Sequence, residues 1–285
     1  MRARRWGALK RLQRSKDFTQ GREQAKSRPF FKTHFMAVIL ETRNLTKRFG
    51  GLTAVDQVNL QLNEGELRCI IGPNGCGKTT LFNLISGFYK PSEGQVLYNG
   101  QNITGKAVYT ISQLGIGRKF QVPSVFNQLT VYENVRVPFY FRYRQSESGD
   151  KGTEKSADQE IMALLARVNL SERREDLAIN LAHGEKQWLE IGMVLASKPR
   201  LMLLDEPTAG MTVVETSKTA QLIRSISQET GISILVIEHD ISFVREIAGR
   251  ITVMYKGALF KEGSYEEIQT DSEVREIYLG RQKKC

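Results

Sequence analysis

The sequence GPNGCGKTT occupies residues 72–80, that is Gly72, Pro73, Asn74, Gly75, Cys76, Gly77, Lys78, Thr79 and Thr80. It fits the phosphate-loop pattern of Gly, any four residues, then Gly-Lys-Ser/Thr. The apolar run Leu67 to Ile71 before it predicts a buried strand, and helical spacing of the apolar residues after it predicts a helix. In that context, backbone N–H groups face inward and form an anion site. We therefore expect Lys78 to reach nucleotide phosphates and Thr79 to ligate Mg²⁺.

The composition is typical of a globular protein in a reducing compartment. Apolar residues make up 40% of the chain and charged residues 25%. Three cysteines, Cys69, Cys76 and Cys285, do not suggest a disulfide framework. The longest apolar run, Phe35 to Leu40, has the length of a strand, and no run approaches a membrane span. If the protein works at a membrane, we expect other subunits to cross it.

The positive charge is concentrated at the N-terminus. Residues 1–35 hold eleven basic and two acidic residues, which is +9 of the total +10. We interpret them as a basic N-terminal extension and leave three alternatives open: a poorly ordered tail, an arm that contacts anionic lipid or an acidic partner, or a processed targeting peptide. Spacing of Trp6, Leu9 and Leu12 allows one short helix. Met36 is a candidate start, and we expect the extension to be dispensable for catalysis.

The rest of the chain, residues 36–285, predicts an α/β domain. The predicted strands are Ala37–Thr42, Val55–Leu62, Leu67–Ile71, a strand pair at residues 94–104, Leu201–Asp205, Ile232–Ile237, Ile251–Tyr255 and Ala258–Lys261. After the middle region, the predicted helices are Trp188–Ser197, Val213–Glu229, Tyr265–Gln269 and Ser272–Leu279. Residues of about 127–190 predict an inserted helical subdomain, within which Gln145–Ser156 is a polar loop. We expect a nucleotide-binding core with a parallel sheet, flanked by an antiparallel β layer and this subdomain.

Two carboxylates follow a wholly apolar strand. The run Leu201 to Leu204, typical of a parallel sheet covered on both faces, ends in Asp205 and Glu206. Phosphoryl transfer needs a metal, positioning and charge stabilisation more than covalent chemistry. We expect Asp205 to hold Mg²⁺ through water and Glu206 to act as general base towards an attacking water.

The order of motifs resembles the ATP-binding subunit of ABC transporters, a branch of the P-loop NTPase fold, over about residues 37–280. Residues 72–80 resemble Walker A, and Leu201–Asp205 with Glu206 resemble Walker B and the catalytic glutamate. The other matching residues are Gln121 as the Q-loop glutamine that senses Mg²⁺ and water, His239 as the switch histidine, Phe49 as the adenine-stacking aromatic, and Leu181, Ala182, His183 and Gly184 in the signature.

Closer similarity narrows the resemblance to one branch of the family. Gly50–Asp56, Ala209–Thr212 and Tyr278–Gly280 resemble branched-chain amino acid importers. Within that branch, His183–Met193 is most similar to the urea-uptake ATPase subunit. The resemblance thus implies an importer of urea, with branched-chain amino acids or short amides as the alternative cargo.

The resemblance implies both the partners and the mechanism. Two ATPase subunits, identical or different, are expected to close head to tail around two ATP molecules, each between Walker A of one chain and the signature of the other. Two membrane permeases and, indirectly, an extracytoplasmic binding protein complete such importers. The expected location is the cytoplasmic face of the cell membrane, as a peripheral subunit.

Several residues depart from the family pattern. Ala182 replaces serine and Glu185 replaces glutamine, although Glu185 is expected to point away from the phosphates. Thr212 and Val213 lie where many relatives have an aspartate. Cys76 replaces a common serine, either as a simple steric equivalent or as a redox-sensitive thiol with a lowered pKa.

Two other functions remain open from the sequence. One is a soluble ABC-type ATPase acting on nucleic acid or ribosomes, which the basic extension favours. The aromatic and basic residues of 138–144 are compatible with nucleic-acid stacking, but a core edge or a permease-docking face fits the architecture better. The other is a regulatory subunit that binds ATP without hydrolysing it, which the altered signature suggests.

Overall fold

A computed structural model describes residues 37–121, 124–145 and 154–279 of the chain. The predicted N-terminal extension (residues 1–35), the helix predicted around Trp6, and Met36 lie outside the described residues. Residues 146–153, at the centre of the predicted polar loop, also lie outside them, as does the C-terminal segment with Cys285.

Strands and helices alternate along most of the described chain. The strands are β1 (Val38–Phe49), β2 (Leu52–Val58), β3 (Gln61–Asn63), β4 (Leu67–Ile71), β5 (Glu93–Tyr98), β6 (Gln101–Asn102), β7 (Ile116–Lys119), β8 (Leu201–Asp205), β9 (Ser233–Ile237), β10 (Arg250–Tyr255) and β11 (Ala258–Gly263). The helices are α1 (Lys78–Ile85), α2 (Val108–Gln113), α3 (Val131–Gln145), α4 (Glu154–Arg167), α5 (His183–Ala196), α6 (Val213–Thr230), α7 (Ile241–Ile247), α8 (Tyr265–Thr270) and α9 (Ser272–Leu279). Short 3₁₀ turns lie at Ser171–Arg173 and Ala178–Asn180.

Two sheets form the β structure. The larger has six strands in the order β11-β10-β4-β9-β8-β7, and all neighbours are parallel except the pair β10–β11. The smaller has five strands, with β1 paired antiparallel to β2, β3 and β5. The predicted α/β class, a parallel core flanked by an antiparallel layer, is confirmed.

The central strands β8 and β9 are buried at every position because both faces of the parallel sheet are covered. Along β8, Met202 and Leu204 join a core with the helices α3 to α7, whereas Leu201 and Leu203 join a second core with α1 and the antiparallel sheet. Side chains alternate between faces with a period of two, so an apolar run supplies both cores. The two cores fix the carboxyl ends of β4, β9, β8 and β7 side by side.

The antiparallel sheet extends further than the sequence pattern predicts. We predict a strand that ends at Thr42 and a polar segment after it, but β1 continues to Phe49. In this continuation Arg43, Asn44 and Arg48 are exposed, whereas Leu45 and Thr46 are fully buried. The predicted hairpin around Asn99 and Gly100 is confirmed between β5 and β6, and Asn99 takes the positive φ of 48° that such a turn requires.

The helical region lies between β7 and β8 in the chain. The predicted polar loop Gln145–Ser156 is wrong at both ends, because α3 continues to Gln145 and α4 begins at Glu154. In α3, Phe139 is buried and Arg142 forms an ion pair with Glu160 of α4. These contacts make part of the aromatic and basic segment 138–144 a core edge rather than a nucleic-acid surface.

Three elements were not predicted. The strand β7 carries Arg118 and Lys119, and two charged residues in succession are typical of a solvated segment. Both side chains are nevertheless buried and lie near carboxylates, at Asp205 and Glu190 respectively. The short helices α2 and α7 were too brief for helical periodicity to be visible. In addition, α5 begins at His183 rather than at Trp188.

Candidate nucleotide site

The predicted phosphate loop lies between β4 and α1. Gly77 has a φ of 103°, and a Cβ added there would overlap the carbonyl oxygen of Ala54. Gly75 also has a positive φ of 76°, but its Cβ position is open. Only glycine combines these backbone conformations with the close approach at Gly77. The sequence therefore folds into a tight loop that ends at the N-terminus of α1.

Lys78, the first residue of α1, points back over this loop. Its Nζ donates hydrogen bonds to the carbonyl oxygens of Gly72, at 2.7 Å, and Pro73, at 3.1 Å. The side chain is buried. The ammonium group is thus held at the loop, where phosphate oxygens would be stronger acceptors than the two neutral carbonyls.

Thr79 and Asp205 come together across 126 residues of sequence. Thr79 Oγ1 lies 3.5 Å from Asp205 Oδ1, and Asp205 is fully buried at the end of β8. Burial raises the pKa of Asp205, while Arg118, whose Nη2 lies 3.4 Å from Oδ2, opposes the shift. A hydroxyl and a buried carboxylate are ligands that Mg²⁺ uses together with phosphate oxygens. The residues present therefore fit Mg²⁺.

Within the described part of the chain, no group of three or more His, Cys, Asp or Glu side chains could hold a metal by itself. This is compatible with Mg²⁺ because that ion keeps several waters and is usually bound through one or two carboxylates and substrate phosphates.

Glu206 lies between the predicted Gln121 and His239. Gln121 Nε2 donates to Glu206 Oε2 at 2.9 Å, and His239 Nδ1 lies 3.7 Å from Oε1. Glu206 has a φ of 46°, a left-handed conformation that is uncommon for a residue with a side chain. The structure thus brings all three predicted catalytic residues to one place, at the carboxyl ends of adjacent strands.

Glu238 was not predicted as a site residue, but it organises this edge of the sheet. It is fully buried after β9, and its Oε1 accepts hydrogen bonds from the N–H and hydroxyl of Thr208. Its Oε2 accepts the N–H of His239 at 3.0 Å. Glu238 therefore holds the loop after Glu206 and the backbone of His239 in fixed positions. An acidic residue before a histidine gives no sequence signal for this role.

The signature residues lie at the N-terminus of α5. Glu185 Oε2 accepts the N–H of Ala182 at 2.8 Å, and Glu185 Oε1 lies 3.0 Å from Nη1 of Arg173. This cap and ion pair occupy the carboxylate, in agreement with the expectation that Glu185 points away from the phosphates. His183 Nε2 hydrogen bonds with the carbonyl oxygen of Ala209 at 2.8 Å.

Leu181, the first signature residue, is buried, while Gly184 is packed against the acidic side chain of Glu215. None of the hydrogen bonds among the described residues joins residues 181–187 to the phosphate loop at 72–80. One chain therefore does not bring its own signature to its own phosphate loop through such contacts.

Phe49 ends β1 and has a partly exposed aromatic ring. Its side chain is 41% exposed, contacts Tyr89 edge to face at 5.3 Å between ring centroids, and has Lys47 Nζ 5.0 Å from its centroid. A ring held in this way can stack on a planar base.

The redox hypothesis for Cys76 predicts a lowered thiol pKa, and that prediction is wrong. Burial raises the pKa of the Cys76 thiol, and the nearby Lys78 offsets only part of that shift. The thiol is therefore less, not more, ionised than an ordinary cysteine. Steric replacement of serine is the interpretation that remains.

No helix within the described residues has the length and apolarity to cross a membrane.

The chain matches the family model described as ABC transporter over residues 55–209, more than half of its length.

Curated relatives match nearly the whole of their own length. The high-affinity branched-chain amino acid transport ATP-binding protein BraF of Pseudomonas aeruginosa is 36% identical over 249 residues, which is 85% of this chain and 98% of the relative. The corresponding protein LivG of Escherichia coli is 36% identical over 258 residues, with the same two coverages.

Solved structures agree with these relatives. An ATP-binding cassette of an ABC transporter in its ADP conformation superposes with a TM-score of 0.75 at 32% identity, over 85% of this chain and 99% of that one. A dimeric post-hydrolysis cassette bound to ADP and Pi has a TM-score of 0.69 at 29% identity, over 80% and 99%. This chain belongs to the ABC transporter family, as an ATP-binding and ATP-hydrolysing subunit that resembles those of branched-chain amino acid transport.

Proposed function

We propose that this chain is one of two ATPase subunits that close around ATP and energise a membrane importer of branched-chain amino acids. The observation that supports it most directly is the cluster of Gln121, Glu206 and His239 beside the pair Thr79 and Asp205. These side chains come from four separate segments and converge at one edge of the parallel sheet, where ligands bind in α/β folds.

ATP binding would begin at the phosphate loop. Inward N–H groups of residues 72–80 would bind the phosphates, and Lys78 would exchange its two carbonyl acceptors for phosphate oxygens. Phe49, at the end of β1, would stack on the adenine ring. The free protein thus already holds its ammonium group close to the position it would need.

Mg²⁺ would be held by the Thr79 hydroxyl and, through water, by Asp205, with Gln121 nearby. When bound, the ion would neutralise phosphate charge. Asp205 is prepared for this role because it is a buried carboxylate whose charge is only partly offset by Arg118 and Lys119, since its pKa is still raised by burial.

Hydrolysis would depend on Glu206. Its carboxylate would accept a proton from a water that attacks the γ-phosphorus, while the bond between the γ-phosphorus and the bridging oxygen breaks and ADP leaves with that oxygen. Gln121 would orient the same water, and His239 would contact the γ-phosphate. Both side chains already lie beside Glu206.

A second subunit would complete the site. Ala182, His183 and the Gly184 N–H of one chain would face ATP held by the phosphate loop of the other. This arrangement explains why the signature needs no contact with its own phosphate loop. A homologous cassette solved as a dimer supports the proposal. The pair can be two copies of this chain or this chain with a related subunit.

Permease subunits would bind at the helical region. A groove of about 540 Å³ along α3 is lined by Leu129, Glu133, Arg136, Val137, Tyr140 and Phe141. Phe141 is 63% exposed, so an apolar permease helix would bury it. In this assembly the chain would be a peripheral subunit at the cytoplasmic face of the membrane, and the extracytoplasmic binding protein would contact only the permeases.

The domain boundary follows from the same proposal. Residues 36–285 would form the ATPase domain, with the helical subdomain at about 127–190, and residues 1–35 would be an extension outside it.

Cargo assignment rests on relatives rather than on the site. The names of BraF and LivG support branched-chain amino acids, whereas urea rests only on the similarity of residues 183–193 and receives no support from these relatives.

Uptake of labelled leucine and labelled urea by cells that lack this chain decides between the two cargoes. We expect leucine uptake to be lost and to return with the parent chain but not with Glu206→Gln. Loss of urea uptake alone would reverse the cargo assignment, and loss of neither would contradict the transport function.

A further inference from the structure

One buried ion pair has no role in the chemistry described above. Lys119, the last residue of β7, and Glu190, in the middle of α5, have side chains that are 0% and 5% exposed. Lys119 Nζ lies 3.6 Å from Glu190 Oε2 and donates a hydrogen bond to the carbonyl oxygen of Phe120 at 3.0 Å. Two charges have thus been removed from water between the sheet and the helical region.

Glu190 contacts the chain on both sides of Gln121. Its Oε2 faces Lys119, two residues before Gln121, and its Oε1 accepts the N–H of Ser124, three residues after Gln121, at 3.3 Å. A single carboxylate therefore fastens both flanks of the segment that carries the glutamine. Gln121 in turn donates to Glu206.

Glu190 also belongs to the helix that begins with the signature. It lies seven residues after His183, so the two share one helix face about 10 Å apart along the axis. His183 contacts the carbonyl oxygen of Ala209, in the loop after Glu206. The helix α5 thus touches the surroundings of Glu206 at two points, one at its N-terminus and one through Gln121.

The pair is poorly suited to a purely stabilising role. Glu190 Oε2 has no hydrogen-bond partner among the described residues, and 3.6 Å is long for a charge-assisted hydrogen bond. Buried ion pairs must repay a large desolvation cost, and apolar replacements of similar volume are often neutral or better. Stability alone therefore does not require a carboxylate at Glu190, whereas a role in positioning a neighbouring segment does.

We propose that Glu190 is a positioning residue for Gln121. It ties the flanks of Gln121 to α5, the helix that begins with the signature, and so holds Gln121 beside Glu206 when a second subunit docks on the signature. The inference rests on the proposed function, because it assumes that Gln121 acts on the attacking water. Lys119 provides the counter-charge, which opposes the rise that burial causes in the pKa of Glu190.

A double-mutant cycle tests the role. The double variant Lys119→Met/Glu190→Leu removes both charges and leaves an apolar pair. It is combined with Gln121→Ala, and ATP turnover, ATP affinity and thermal stability are measured with partner subunits present. Glu190→Gln is measured in parallel because it preserves the shape of the side chain. The control is Glu160→Gln, which removes the α4 partner of Arg142 far from this segment in sequence.

We expect the double variant to lose at least about tenfold in kcat, since small misplacements of catalytic groups are costly, with ATP affinity within about threefold of the parent. In the Gln121→Ala background the same change should cost less than about twofold, because its effect runs through Gln121. Glu190→Gln should show the same non-additivity, and Glu160→Gln should leave turnover unchanged.

The proposal would be overturned if the losses of turnover from the Lys119/Glu190 change and from Gln121→Ala were additive. Turnover within about twofold of the parent in both Glu190 variants would overturn it as well. A third contrary result would be a variant in which ATP affinity, kcat and thermal stability all fall together, since that would show a structural role alone. Turnover of the parent protein is measured first and tests the proposed function separately.

Discussion

The carboxyl edge of the parallel sheet and the N-terminal end of α5 differ in how much of their chemistry one chain completes. At the sheet edge, Glu206 already contacts Gln121, and Lys78 is already held at the phosphate loop. At α5, Ala182 and Gly184 engage only neighbouring parts of the same chain. In the proposed mechanism the first region binds ATP alone, whereas the second contributes only when another subunit approaches. Replacing one glycine by alanine in each region should separate ATP binding from ATP turnover.

Gly77→Ala should have the largest effect, because the new Cβ would overlap the Ala54 carbonyl in a backbone conformation that alanine rarely adopts. We expect loss of ATP binding and a stability cost of about 3 kcal/mol or more. ATP titration and urea unfolding measure both quantities.

Gly75→Ala is the matched control for this variant. Its φ is also positive, but nothing lies near the new Cβ, so we expect a cost of about 1 kcal/mol and retained binding. Equal behaviour of the two variants would contradict the role assigned to the close approach at Gly77.

Gly184→Ala should leave ATP binding by one chain unchanged but reduce turnover by at least about tenfold, because an N–H group that stabilises transferring phosphate would be displaced. The new Cβ would lie 2.5 Å from Oε1 of Glu215, whose Oε2 accepts hydrogen bonds from the N–H and hydroxyl of Thr212 at the cap of α6. Moving that carboxylate weakens the cap, so we expect a stability cost of about 1 kcal/mol. Parallel assays of nucleotide affinity and phosphate release check the separation. Weakened ATP binding by the single chain would remove the distinction between the two regions.

Ala182→Ser restores a hydroxyl at the N-cap of α5. Hydrogen bonds to charged groups contribute about 1.5–3 kcal/mol, so a hydroxyl that reached the partner's γ-phosphate should raise turnover by about tenfold or more. Steady-state ATPase rates measure the gain. Because serine is also a better N-cap than alanine, thermal stability must be recorded, and a gain in stability without a gain in rate would show that the hydroxyl serves only the helix.

Cys76→Ser should have the smallest effect, a change in turnover of less than about twofold, because the thiol is a buried steric element. Since burial raises the pKa of Cys76, its alkylation at pH 8 should be slower than that of an exposed cysteine and should rise only as the pH passes above the ordinary thiol range. Iodoacetamide labelling over pH measures this, and rapid labelling at pH 7 would contradict it.

The sequence predicts the sheet edge well because each of its motifs is local. Residues 72–80 fix their own loop, and the run before Asp205 predicts both a strand and its end. The sequence predicts Glu206 as general base because it follows Asp205 at the end of an apolar strand, downstream of the phosphate loop.

The contacts of Glu190 and Glu238 could not be predicted in this way. A charged residue in a helix or after a strand is typically exposed, and only tertiary packing reveals that these two are buried. The strand β7 was missed for the same reason, since Lys119 is completely buried. The signature is identified by resemblance alone, because the function proposed for it requires a second molecule.

The central claim is that ATP held by one subunit is covered by another before it is cut. Glu206→Gln should bind ATP without hydrolysing it, and light scattering should show this variant as a dimer with ATP and a monomer with ADP. Adding Lys78→Ala should abolish the ATP-dependent dimer. A Glu206→Gln variant that binds ATP yet stays monomeric at every protein concentration, or that hydrolyses ATP at the parent rate, would contradict the account.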